Sequence, residues 1–206
     1  MDGVEIMEKK FVIATNNPHK VVEFKKILEP LGIECVSQKE MGIVCDAEET
    51  GTTFAENAKI KAQAVYDLCH LPTVADDSGI CVDALNGEPG VYSARYGGEG
   101  YDDEGRLYLL LKNMENQENR AAHFTSAICC VLDDQHILEA EGYIFGQLTR
   151  EPRGAHGFGY DPIFLPDGYT QTTAEMEGDA KNAISHRGNA LRKFAEQLKE
   201  YYHAEQ

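Results

Sequence analysis

In the stretch ADDSGICVDALNGEPGVYSARYGG, residues 75–98, two neighbouring carboxylates, Asp76 and Asp77, run directly into Ser78 and Gly79. As the exit of an apolar strand closed by a Ser-Gly turn, the pair would face a cleft. Side-by-side carboxylates repel unless a cation relieves them. Magnesium suits such a place, because it takes one or two carboxylates and completes its shell with water and phosphate oxygens. Asp-Ser-Gly is also an ordinary turn sequence. A second acidic group, DAEETG at 46–51, offers Glu48 or Glu49 to share a metal with Asp77. A solvated acidic loop ahead of a helix explains the same residues, since helix starts favour acids.

Three further segments have chemical potential. TNNPHK, 15–20, joins a strand to a helix. Free backbone N–H groups and the positive dipole end make that junction an anion site, and Lys20 can add a point charge. No G-x-x-x-x-G-K-[ST] loop exists in the chain, so this is no P-loop; a well-capped helix with an exposed lysine is the plain alternative. In GFGYDP, 157–162, glycines around Phe158 permit close backbone approach and two aromatics offer faces for a flat ring. In KNAISHRGNAL, 181–191, Lys181, Ser185, His186 and Arg187 crowd the start of the last helix, where cations oppose the dipole unless an anion or polar base compensates.

These segments need a scaffold, and the pattern around them supplies one. KFVIAT (10–15) is a buried strand by composition. A helix follows with Asn17 as N-cap, Pro18 in the first turn, an apolar face of Val21, Phe24, Leu28 and Leu31, and Gly32 as terminator. IECVS (33–37) completes β-α-β. Thr53 and Glu56 form a capping-box pattern for a second helix over 52–70. PTVADDSGICVDAL (72–85) reads as strand, tight turn and second extended run; YDDEGRLYLLLKNM (101–114) reads as helix. The β-branched and aromatic run 121–152 reads as a long hairpin turning at DDQ, and the Gly/Pro-rich 153–168 as loop. Leu191, Phe194, Leu198 and Tyr202 mark one face of a closing helix. The class is α/β with a mixed sheet. Residues 1–9 form a flexible leader with no secretory pattern, and 10–206 a single domain.

Bulk properties narrow the function. A formal charge of −16 argues against a nucleic-acid polymer as partner, so a bound phosphate has to be held by local positive groups. No apolar run is long enough to span a membrane. Six cysteines without a C-x-x-C pair read as core residues in a reducing compartment, the cytoplasm.

In this order along the chain, TNNPHK, ADDSGICVDALNGEPGVYSARYGG, GFGYDPIF and SHRGNAL resemble the inosine/xanthosine triphosphate pyrophosphatases, from Phe11 to about Arg192. The family motif usually reads Thr-Gly-Asn; here Asn16 replaces the glycine, a residue that tolerates left-handed backbone. The resemblance implies a long mixed sheet with flanking helices forming two lobes around a central active-site cleft, a homodimer, and Mg²⁺. It implies hydrolysis of noncanonical purine nucleoside triphosphates (ITP, dITP, XTP) to monophosphate and pyrophosphate. Carried over by position, Thr15, Asn16, Asn17, Pro18, His19 and Lys20 hold the triphosphate. Asp77 is general base and metal ligand with Glu48 or Glu49, and Ser78 contacts substrate. Phe158, Gly159, Tyr160, Asp161, Lys181, His186 and Arg187 recognise base and sugar, with His186 and Arg187 as donors to a 6-keto oxygen. A non-catalytic nucleotide sensor and a pyrophosphatase for modified pyrimidine nucleotides are the rival readings.

Overall fold

The computed structural model describes residues 9–204. The leader expected over 1–9 therefore lies outside the described residues except for Lys9, which opens the first strand. Six strands form one mixed sheet in the order β2-β1-β3-β4-β5-β6. They are β1 (Lys9–Ile13), β2 (Ile33–Ser37), β3 (Thr73–Val82), β4 (Ala121–Val131), β5 (Ile137–Leu148) and β6 (Phe164–Pro166). The helices are α1 (Pro18–Leu28), α2 (Phe54–Cys69), α3 (Asp103–Asn113), α4 (Gly178–Ile184) and α5 (His186–Ala204). β1 pairs in parallel with both β2 and β3, setting Phe11 opposite Cys35 and Val12 opposite Thr73. β5 and β6 run antiparallel.

The chain divides into two compact units. Of the described residues, the first comprises 9–77, 126–142 and 187–204; the second comprises Ser78–Thr125 and Tyr143–His186. In the first unit Phe11, Val12 and Ile13 of β1 are all buried, so the strand is covered on both faces, which is why it reads as an unbroken apolar run. Phe11, Ile13, Val74, Ile128 and Cys130 pack with Phe24 and Leu28 of α1 and with Leu191, Phe194, Leu198 and Tyr202 of α5. The neighbouring residues Val12, Ala14, Ala75, Ala127 and Cys129 point the other way, onto Ala58, Ala62, Val65 and Tyr66 of α2. In the second unit Ile80, Val82, Phe124, Ile144 and Phe164 pack with Leu107 and Leu110 of α3.

β3 departs from expectation. It runs for ten residues straight through Ser78 and Gly79, with no turn between Asp77 and Ile80. Gly79 serves close approach here: a Cβ would lie 2.4 Å from Ser93 Oγ and 2.5 Å from the Gly90 carbonyl oxygen. The Ser93 hydroxyl in turn accepts from Ile80 N at 2.9 Å. Tertiary packing, which buries Ile80 and Val82 beyond the glycine, overrides the local turn signal. The segment 153–168 is likewise not all loop. It holds a 3-10 turn at Asp161–Ile163 and the short strand β6, which fits against Gly146 because a Cβ there would stand 2.3 Å from Leu165 O. Lys181 lies within a helix of its own, α4, ahead of α5. All six cysteines are free thiols. Among the described residues, no helix is long and apolar enough to cross a membrane.

Candidate functional site

The junction before α1 is built as its sequence suggests. Asn17 Oδ1 accepts from His19 N at 2.9 Å and Lys20 N at 3.4 Å, Pro18 occupies the first turn, and Thr15 Oγ1 accepts from Asn17 N at 3.1 Å. Pro18 and His19 are exposed. Asn16 makes no use of left-handed freedom; among the described residues, only His70 and Asn86 have positive φ outside glycine. Its Oδ1 instead accepts from Gln38 Nε2 at 3.0 Å.

Asp76 and Asp77 are not a carboxylate pair around one cation. Both lie inside β3, and successive strand residues face opposite sides of the sheet. Asp76 shares the face of Val74, toward α1 and α5, and is 2% exposed. Lys20 Nζ stands 2.7 Å from its Oδ1, close but off the hydrogen-bonding direction. Oδ2 receives Arg187 Nε at 3.1 Å and Ser126 Oγ at 3.1 Å. Arg187 also pairs with Glu23. Burial opposes the Asp76 charge, yet Arg187, Lys20 and Lys61 outweigh it and hold the carboxyl far below the usual range. Burial lowers the Lys20 ammonium despite its carboxylate neighbour.

Asp77 faces α2. Its Oδ1 lies 3.0 Å from Lys61 Nζ, and its Oδ2 accepts from Asn57 Nδ2 at 3.3 Å. Lys61 simultaneously reaches Glu49 Oε1 at 2.9 Å. Asn57 is oriented by Gly51 N, which donates to its Oδ1 at 2.8 Å. The start of α2 is fixed by the reciprocal Thr53–Glu56 capping box. Burial raises the Asp77 pKa, and Lys61 offsets this only in part. For Lys61, burial lowers the pKa, but Asp77, Asp76 and Glu49 outweigh it and the net shift is upward. Thus Glu49, not the exposed Glu48, shares a cationic partner with Asp77. Among the described residues, no group of three His, Cys, Asp or Glu side chains could hold a metal by itself. Ser78, the next residue of β3, is half-buried.

The second unit gathers another cluster. Asp161 is 3% exposed and accepts from Lys181 Nζ at 2.6 Å, Phe158 N at 2.9 Å and Thr173 Oγ1 at 2.9 Å. Lys181 also lies over the Phe158 ring, 4.9 Å from its centroid. The loop needs glycine at 157, where φ is +75° and a Cβ would fall 2.1 Å from Asp161 Oδ2. Gly159 also takes a left-handed conformation, at φ +60°. Tyr160 donates its hydroxyl to Ser93 O at 2.7 Å, and burial pushes its pKa up. His186 stacks on Phe124 with centroids 4.8 Å apart and planes at 12°.

Two expectations change. Arg187, placed with His186 as a base donor, sits instead between Asp76 and Glu23 and is 2% exposed, so its charge serves one buried and one half-buried carboxylate. Asp161 and the Tyr160 hydroxyl are committed to holding Lys181 and the loop. Sequence reasoning missed Asn57, Lys61, Gln38, Glu23 and Phe124. Asn57 and Lys61 carried a signal: polar residues four apart beside the Ala58–Ala62 apolar line of α2 share one helix face.

The model of the Ham1 family matches residues 11–197. A dITP/XTP pyrophosphatase of Bacillus subtilis (strain 168) is 45% identical over 195 residues, covering 94% of this chain and 98% of its own length. One from Aquifex aeolicus (strain VF5) is 45% identical over 203 residues, covering 92% and 96%. Among solved structures, a HAM1 protein from Coxiella burnetii matches with a TM-score of 0.86 at 41% identity, covering 93% of this chain and 99% of its own. A nucleoside-triphosphatase / dITP/XTP pyrophosphatase from Mycobacterium abscessus matches with a TM-score of 0.74 at 42% identity, covering 90% and 98%.

Proposed function

The chain belongs to the Ham1 family, and we propose that it hydrolyses noncanonical purine nucleoside triphosphates, ITP, dITP and XTP, to the monophosphate and pyrophosphate. The observation that carries the reading is Asp77: a buried carboxylate of raised pKa, fixed by Lys61 and Asn57, with Glu49 on the same ammonium. A carboxylate more basic than usual is a better acceptor for the proton of an attacking water.

In this reading Asp77 orients that water and takes its proton during attack at the α-phosphorus. Lys20 and the Thr15–Asn16–Asn17–Pro18–His19 turn hold the triphosphate, through the ammonium and the positive dipole end of α1. Ser78 adds a hydroxyl to the same substrate. Lys181 and His186 read the base with the Phe158–Gly159–Tyr160 loop, while Asp161 holds Lys181 and Arg187 supports Asp76. Two carboxylates that converge on one ammonium are the donor set a hard divalent ion takes alongside water and phosphate, so Glu49 and Asp77 fit Mg²⁺. Bound there, Mg²⁺ supplies positive charge to phosphate oxygens and to the leaving pyrophosphate. A cytoplasmic homodimer completes the proposal, in keeping with six free thiols; light scattering of the purified chain tests the dimer.

Selectivity follows from donors in a dry site. Inosine and xanthosine present a 6-keto oxygen where adenosine has an amino group, and a polar group left unpaired discriminates by about 10⁴-fold in favourable cases. The test is pyrophosphate release from ITP, XTP, ATP and GTP side by side, with and without Mg²⁺. ITP and XTP are expected to turn over and ATP to lag far behind; equal turnover of ATP and ITP overturns the reading.

A further inference from the structure

The turn before α1 and the segment that carries Glu49 are joined by one buried side chain. Gln38 follows β2 and is 3% exposed. Its Nε2 donates twice, to Cys45 O at 2.8 Å and to Asn16 Oδ1 at 3.0 Å. Its main chain is tied as well: Gln38 N donates to Ile13 O, and Gln38 O accepts from Ile43 N.

These contacts decide which way both amides point. A backbone carbonyl can only accept, so the Gln38 atom facing Cys45 is its NH₂ group. That same nitrogen faces Asn16, so the Asn16 atom meeting it must be the oxygen. Asn16 Nδ2 is thereby the end turned away from Gln38. No group among the described residues accepts from it, and Asn16 is exposed. The next residue, Asn17, caps α1, its Oδ1 accepting from His19 N and Lys20 N. Glycine, which the motif usually has at this position, supplies no such donor.

We propose that Gln38 is a positioning residue that aims the Asn16 amide at the triphosphate, adding a neutral donor to the cradle formed by α1. This rests on the reading of the chain as a triphosphate pyrophosphatase. A neutral donor adds grip on phosphate without adding charge beside Asp76. Because it touches oxygens rather than the reacting water, it binds ground and transition states alike. Its loss therefore raises KM and spares kcat.

The test is steady-state pyrophosphate release from Mg²⁺–ITP by the wild type, Asn16→Gly, Gln38→Leu and the double variant, each with its melting temperature recorded. Asn16→Gly raises KM by about five- to tenfold, the worth of one hydrogen bond. Its kcat stays within about twofold of the wild type. Gln38→Leu gives the same signature, and the double variant is no worse than either single one, because both remove the same contact. Should Gln38→Leu fail to fold, Asn16→Gly, at an exposed position, still decides the matter. Unchanged KM in Asn16→Gly, a fall in kcat instead, or single effects that multiply independently overturns the inference. A wild type that releases no pyrophosphate from ITP overturns the functional reading and this inference with it; an active wild type beside an unaffected Asn16→Gly variant removes this inference alone.

Discussion

At the scale of single residues, the two adjacent aspartates have opposite duties, and their variants should fail in opposite ways. Asp77→Asn keeps the shape and the neighbours on α2 but removes the proton acceptor. Turnover should fall at least about a hundred- to thousandfold, the loss typical of one catalytic electrostatic group, with the melting temperature nearly unchanged. Retention of a tenth of wild-type turnover would exclude Asp77 as the base. Asp76→Asn leaves Lys20 and Arg187 buried against a neutral amide. Breaking a buried pair from one side costs about 3–5 kcal/mol, to be read from urea unfolding in chelator-containing buffer. The sign with pH follows from the depressed folded pKa of Asp76. Its stabilisation is complete above about pH 4, the carboxylate range of an unfolded chain, and is lost as pH falls through the much lower folded value. The wild-type advantage over Asp76→Asn should therefore be flat near neutrality and shrink in acid.

At the scale of elements, what was legible depended on whether the signal was local. The N-cap at Asn17, the capping box at Thr53 and Glu56, strand β2 and the face of α5 depend on residues within a few positions of one another, and each stands where its pattern placed it. β3 was misread because Asp-Ser-Gly prefers a turn when isolated, whereas pairing to neighbours distant in sequence keeps it extended. That single error turned two residues on opposite faces into an apparent dyad. Lys61, which organises Asp77 and Glu49, was hidden for the same reason: its partners are 16 and 12 residues away. The 157–161 loop, by contrast, announced itself through its glycines, and one of them tests the element. Gly157→Ala drives a Cβ into Asp161 Oδ2 at a left-handed φ. It should displace Lys181 and Phe158 together, lowering the ITP-to-ATP ratio of kcat/KM by about ten- to a hundredfold, as misplacement of a binding group does. An unchanged ratio would remove this loop from base recognition.

At the scale of the whole molecule, a chain of formal charge −16 has to capture a polyanion. The long-range field opposes the encounter, while the cations assigned to substrate, Lys20 and Lys181, are largely buried and paired with Asp76 and Asp161. These two contributions respond differently to salt. The Debye length shrinks from about 30 Å at 0.01 M to about 8 Å at 0.15 M ionic strength, which removes the distant repulsion but barely reaches buried pairs. For a basic protein that captures phosphate with exposed lysines, added salt weakens binding. Here kcat/KM for Mg²⁺–ITP should hold steady or rise over that interval, measured in potassium chloride at fixed free Mg²⁺. A steep fall would mean that exposed cations outside the two clusters govern capture, and the division of labour between a repelling surface and buried, pre-paired ammonium groups would have to be abandoned.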